Sequence, residues 1–247
     1  VSELAIIGGT GLTRLQHLTI ARREVMHTPY GEPSGALTFG ELSGKQLVFL
    51  ARHGDDHTIP PHRVNYRANL WALKKQGIKR VLGVCAVGGI RSDLRPSAIV
   101  IPDQIIDYTW SRKHTFFESD LSEVTHVDFT EPYCPEMRTQ LLDAAGKAGI
   151  EASTTGTYGA SQGPRLETAA EIDRMERDGC HMVGMTGMPE AALARELDLC
   201  YAVLAVSANA AAGRGDGALS MEIIEQNLSV GMEKVRAIIE QFITTSG

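Results

Sequence analysis

Short apolar runs of strand length alternate along the chain with stretches whose apolar positions recur every three or four residues. That alternation is the pattern of a mostly parallel sheet wrapped by helices. Strands are predicted at Leu4 to Ile7, Leu47 to Ala51, Arg80 to Ala86, Ile99 to Ile101, Ser153 to Tyr158, His181 to Met185 and Tyr201 to Ser207. Helices are predicted at Asn65 to Gln76, Pro135 to Ala148, Glu167 to Asp178, Pro189 to Glu196 and Ser220 to Phe242. In the last of these Ile224, Leu228, Val235, Ile238, Ile239 and Phe242 fall near one face, so this helix is expected to close the fold. Pro135 at a first helical position and Gly149 just past the end bracket the second helix. The segment from Trp110 to Tyr133 has no clear period and several charges, as expected of a lid, a binding loop or an interface element.

A chain of 247 residues, 43% hydrophobic and 22% charged, fits one large α/β domain spanning residues 1–247, with a central mixed, mostly parallel β-sheet surrounded by helices. The net charge of −6 repels a phosphate backbone at long range and argues against duplex nucleic acid as a partner. Cys85, Cys134, Cys180 and Cys200 are widely scattered without a CxxC pair, so neither a disulfide framework nor a thiolate zinc cage is expected. Val1-Ser2-Glu3-Leu4 leads straight into a strand without the basic start and apolar run of a secretory leader, and no apolar stretch has membrane-spanning length. A cytoplasmic protein is the expectation.

Candidate chemistry gathers where strands end. Gly8-Gly9-Thr10-Gly11 follows the first strand, a turn that lets backbone N–H groups and a hydroxyl converge on an anion. The spaced third glycine of a dinucleotide fingerprint is missing, and a plain tight turn is the bland alternative. Arg52-His53 ends the second long strand, with His57 and His62 close behind, and open α/β sheets place ligands at such ends. A buried arginine there is expected to bind an anion, since an unpaired buried charge is costly. The three histidines do not suit a metal: Gly54, Pro60 and Pro61 forbid the aligning helix, and no carboxylate or thiol completes a set. Cys85-Ala86-Val87-Gly88-Gly89 follows the third long strand with residues small enough for a ligand to approach the backbone, close packing alone being the bland alternative. Glu167 opens a predicted helix, where it either meets a ligand or favours the helix dipole, and Met185-Thr186 ends another strand.

Taken together, IIGGTGL at 6–12, LARHGDDHTIPPHRVNYRANLWALK at 50–74, GPRLET at 163–168 and GMTGMPEAALARE at 184–196 resemble the methylthioadenosine phosphorylase branch of the trimeric purine nucleoside phosphorylases. The likeness covers nearly the whole chain. It implies attack of inorganic phosphate, the co-substrate, on the anomeric carbon of a purine nucleoside, with no metal or organic cofactor. It implies a phosphate site of Thr10, Arg52, His53, the Cys85-Ala86 backbone and Thr186, and places Met185 against the ribose. Asn209, Thr186 and His53 are the expected catalytic residues.

The base pocket departs from adenine-handling members of that branch. Two aspartates of those members are matched here by Asn209 and Ala211. An ionised aspartate accepts from a 6-amino group but repels the O6 lone pairs of hypoxanthine, whereas a carboxamide donates to N7 or O6. Glu167, beside Leu166, matches a glutamate that accepts from N1–H of 6-oxopurines. At the 5′ end, Met221 with Leu219 and Ile224 stands where ordinary 6-oxopurine phosphorylases present a histidine to a hydroxyl, so a thioether is expected there. His126 matches a residue that the family brings in from a neighbouring subunit of a homotrimer, and the role of Asp216 in the glycine-rich 212–217 loop is open. The combination implies phosphorolysis of 5′-methylthioinosine to hypoxanthine and 5-methylthioribose 1-phosphate. Rival readings are a methylthioadenosine or general 6-oxopurine phosphorylase and, from another class, a purine-binding sensor without turnover.

Overall fold

The computed structural model describes residues 2–119, 121–215 and 221–245, with the side chain of Met221 excepted. In chain order the strands are β1 (Leu4–Gly8), β2 (Thr19–Glu24), β3 (Leu37–Leu42), β4 (Lys45–Ala51), β5 (Arg80–Gly89), β6 (Ile99–Val100), β7 (Gln104–Asp107), β8 (Ala152–Ser153), β9 (Thr157–Ala160), β10 (Met182–Gly184) and β11 (Cys200–Ala210). The helices are α1 (Tyr66–Lys75), α2 (Pro135–Lys147), α3 (Ala169–Arg177), α4 (Gly187–Glu196) and α5 (Met221–Thr245).

These strands form one mixed sheet in the order β2-β3-β4-β1-β5-β10-β9-β7, with β11 joining β5 and carrying β6 and β8. Among the described residues six of the ten strand pairings are parallel. The sheet pivots on β5, which pairs β1 and β11 along its first half and β10 and β11 at its end. Its last residues therefore meet two other strands at one point, and the site is built there.

Strict alternation sorts each central strand onto two faces. From β1, Ala5 and Ile7 pack with Leu70 and Leu73 of α1 and Leu193 of α4. Ile6 faces the other way, into a cluster with Leu141 of α2 and Leu228, Val235, Ile239 and Phe242 of α5. In β11, Tyr201, Val203 and Ala205 take the first face, and Ala202, Leu204 and Val206 the second. Both faces being covered is why these strands read as unbroken apolar runs.

Several sequence expectations need correcting. The stretch read as one strand at Ser153 to Tyr158 is two, β8 and β9, which pair different neighbours on either side of Gly156. The strands β2, β3 and β7 were not predicted: β2 is an edge strand with exposed Arg22 and Arg23, and β7 has only four residues. The helix expected from Glu167 begins at Ala169, because Thr168 caps it through its side chain and Glu171 completes the reciprocal bond to the Thr168 backbone. Cys134 and Cys200, too far apart in sequence to suggest a pair, are joined in a disulfide with Cα atoms 5.1 Å apart. The fold creates that proximity: Cys134 precedes α2, its N–H donates to the Tyr201 carbonyl at 2.8 Å, and Cys200 opens β11.

The α5 helix lies so close to β11 that a Cβ on Gly231 would stand 2.2 Å from Val206 Cγ2. Helix propensity alone favours Gly231→Ala by about 1 kcal/mol. Overpacking against a stiff, fully buried valine is the larger effect, so the variant is expected to lose about 1–3 kcal/mol in urea unfolding.

Candidate active site

The ends of β1, β4, β5, β10 and β11 converge on a cavity of about 410 Å³. Thr10, Arg52, His53, Cys85, Ala86, Leu166, Glu167, Met185, Thr186, Asn209, Ala211 and Ile224 all line it. The fold thus brings together expected site residues as far apart in sequence as Thr10 and Ile224. His126 does not join them: it is exposed on the long loop and does not line this cavity. Leu219 and Asp216 lie outside the described residues, as does the side chain of Met221.

One end of the cavity is formed by the glycine turn. A Cβ on Gly9 would fall 2.6 Å from the Val84 carbonyl and 2.7 Å from an Arg52 nitrogen, so only glycine lets this loop lie over the guanidinium. Arg52 is fully buried and, contrary to expectation, already has an anion. Its Nε donates to Glu190 Oε2 at 2.7 Å and a terminal nitrogen to Oε1 at 2.6 Å, while the other terminal nitrogen donates to the Val84 carbonyl at 2.8 Å. Tyr201 donates to Glu190 Oε1 at 2.8 Å. Burial alone would weaken the guanidinium's hold on its proton, but the Glu190 charge wins and holds its pKa well above the ordinary range. Each terminal nitrogen retains one hydrogen outside these bonds. Arg52 therefore offers donors to a ligand, with its net charge already matched.

His53 is held by a 2.8 Å contact between Nδ1 and the Ile59 carbonyl. Only a protonated Nδ1 can donate to a carbonyl, so in the neutral ring Nε2 is left as an acceptor. Burial, then the neighbouring Arg52 charge, push its pKa down to about 4. His57, expected near a ligand-binding strand end but given no role, lines the same cavity, with its ring 4.9 Å from that of His53 and Nε2 3.1 Å from Thr10 Oγ1. Among the described residues no three His, Cys, Asp or Glu side chains cluster as a metal site. Thr186 precedes α4, and its hydroxyl makes no capping bond to that helix. The hydroxyl lies 3.5 Å from Cys85 Sγ, whose thiol burial pushes up and keeps protonated.

At the other end, β11 carries a register shift between Ser207 and Asn209, one residue out of step with β5. Such a bulge re-aims the following side chain. Asn209 turns to the cavity and spends one amide hydrogen on the Ala210 carbonyl at 2.7 Å, leaving the second free. Glu167 precedes the cap of α3; Thr168 and Glu171 serve the helix, and Glu167 accepts from Ser161 Oγ while facing the cavity. That removes the helix-dipole reading of Glu167. It is the only carboxylate among the described lining residues.

Sequence reasoning missed Glu190 and Arg112. Glu190 is the internal partner of Arg52, and Arg112 is a buried arginine in the loop expected to be a lid or interface, bonded to the backbone behind the cavity. Their partners are brought together by the fold, and a partner made of backbone carbonyls leaves no mark in residue identities.

Residues 3–244 match the Phosphorylase superfamily, and the chain belongs to it. A probable S-methyl-5′-thioinosine phosphorylase of Pseudomonas syringae is 52% identical over 98% of each chain. A probable 6-oxopurine nucleoside phosphorylase of Thermococcus kodakarensis is 47% identical over 90% of this chain and 85% of its own. Among solved structures, methylthioadenosine phosphorylase from Schistosoma mansoni in complex with adenine superposes with a TM-score of 0.95 at 31% identity, covering 100% of this chain and 92% of that one.

The His53 environment sets a pH test. As pH falls below about 6.5 the unfolded histidine takes up a proton that the folded ring refuses until about 4. The His53 contribution to stability is thus complete above pH 6.5 and is lost between there and about 4. An NMR titration of the ring should give a midpoint near 4; a midpoint near 6.5 would contradict the burial argument.

Proposed function

We propose that the chain catalyses phosphorolysis of 5′-methylthioinosine to hypoxanthine and 5-methylthioribose 1-phosphate, in the cytoplasm. One observation carries the choice of base: Glu167 and Asn209 face a single cavity, with Ala211 beside them and no second carboxylate among the described lining residues. A 6-oxopurine offers N1–H to Glu167 and takes a donor from Asn209 at N7 or O6. Adenine has no N1–H, and its pairing leaves buried groups unmatched at about 1–3 kcal/mol each. The methylthio group would lie toward Ile224 and the start of α5.

In the reaction a phosphate oxygen forms a bond to C1′ as the C1′–N9 bond breaks, its electron pair leaving with the purine, which then takes a proton. Thr10, the Cys85-Ala86 backbone, Thr186 and the spare Arg52 hydrogens hold the nucleophile by hydrogen bonds. The Nε2 of His53 accepts from a protonated phosphate oxygen or a sugar hydroxyl. Asn209 meets negative charge developing on the base, so its donor gains strength in the transition state. Positioning the two reactants supplies the remainder of the rate. No metal or organic cofactor is needed for these steps.

With saturating phosphate, kcat/KM should rank 5′-methylthioinosine above inosine and 5′-methylthioadenosine; a preference for the adenine nucleoside overturns the base assignment, and purine binding without phosphate-dependent product would make the chain a sensor. Asn209→Asp should move the oxo-to-amino ratio toward the amino substrate by roughly 10-fold or more.

A homotrimer in which His126 from a neighbouring copy closes the 5′ end is part of the same reading. Its support is the exposure of His126 beside apolar Val124 and Val127 on the long loop. Light scattering should give three times the 26.7 kDa chain mass.

A further inference from the structure

Arg112 is buried, has no carboxylate within ion-pair distance among the described residues, and lines no part of the cavity. Its charge is met by oxygen acceptors instead. One terminal nitrogen donates to the Met185 carbonyl at 2.8 Å and the Met188 carbonyl at 2.7 Å, with Tyr66 Oη at 3.3 Å. The other donates to the Gln162 carbonyl at 2.7 Å and the Ser161 carbonyl at 3.3 Å, and Nε donates to Gln162 Oε1 at 3.1 Å.

These acceptors belong to two different walls of the site. Ser161 and Gln162 lead into Pro164, Leu166 and Glu167, and Ser161 Oγ donates to the Glu167 carboxylate. Met185 and Met188 flank Thr186 on the segment between β10 and the regular part of α4. The two walls already touch at their inner side, where a Cβ on Gly163 would fall 2.4 Å from Met185 Sδ. We propose that Arg112 is a positioning residue that ties the purine-facing wall to the ribose-facing wall from behind, fixing the distance between Glu167 and Met185 and so the placement of the nucleoside. Only a planar fork with five donors spans this set; a lysine keeps the charge but not the reach. Met185 and Ser161 are its two points of leverage on the substrate.

The phosphate end is built differently. Thr10 and Arg52 lie on the turns after β1 and β4, and Cys85 and Ala86 lie within β5; Arg112 donates to none of these, whereas Thr186 stands on the gripped segment between Met185 and Met188, with its N–H directed to Tyr158 Oη at 3.3 Å. Loss of the clamp should therefore damage nucleoside placement far more than phosphate binding, since of the phosphate-site residues Thr186 alone stands on the gripped segment. The proposal rests on the phosphorolysis reading for its kinetic test, so binding is measured as well.

Arg112→Lys, checked for folding by circular dichroism, should lose about 100-fold in kcat/KM for the nucleoside, the scale of a misplacement near 1 Å, with the KM for phosphate within about threefold of wild type. In thermal shift measurements it should lose stabilisation by hypoxanthine and keep stabilisation by phosphate. Gln162→Ala, which removes one acceptor, should show the same split to a smaller degree and serves if the lysine variant does not fold. Added guanidinium should restore part of the nucleoside activity of Arg112→Ala, which a role in stability alone would not produce. Equal losses toward nucleoside and phosphate, or a lower melting temperature with both KM values unchanged, overturn the proposal. If wild type turns over no nucleoside, the functional reading fails, and the two thermal shifts still judge the clamp.

Discussion

The buried pair of Arg52 and Glu190 is the interaction around which the site is organised. Taking two charges out of water costs several kcal/mol each, and only near-ideal geometry with further hydrogen bonds offsets that. Here the bidentate contact, the Val84 carbonyl and the Tyr201 hydroxyl provide it. The pair links the end of β4 to α4, and through Tyr201 to β11, so three of the elements framing the cavity are fixed by one cluster. The glycine at position 9 follows from it, since the guanidinium occupies the space that a side chain there would need.

The same pair shapes the electrostatics. Arg52 is the only arginine or lysine among the described lining residues, and Glu190 cancels its charge; His53 is neutral and Cys85 protonated. An anion entering this cavity meets oriented donors more than net positive charge. Such donors are preorganised and need little rearrangement as charge shifts from nucleophile to leaving group. The arrangement also explains how a chain of net charge −6 can receive phosphate at a local site.

Much of this was readable in the sequence, and the reasons are specific. Strands β1, β4, β5 and β11 are covered on both faces and announce themselves as apolar runs; the edge strand β2, with an exposed TIARRE pattern, does not. The helices were legible from their period and punctuation, down to Pro189, where regular α4 geometry resumes after an extended Met188. Site residues at strand ends were legible because glycine turns and polar residues interrupt apolar runs there. The sequence did not reveal the pairing of Arg52 with Glu190, the tether between Cys134 and Cys200, or the carbonyl cage around Arg112. Each depends on which distant segments the sheet order makes adjacent.

The irregularity in β11 at Ser207 to Asn209 has an evolutionary corollary. Up to Ser207 the strand is locked to β5 and packed on both sides, where almost any exchange disturbs the core. Beyond the bulge the chain is half-exposed, and the Asn209 side chain lines the cavity while donating to the Ala210 carbonyl. On the proposed reading, ring selectivity is thereby uncoupled from foldability, and exchanges at the strand's tip would shift it between amino and oxo purines while leaving the core intact.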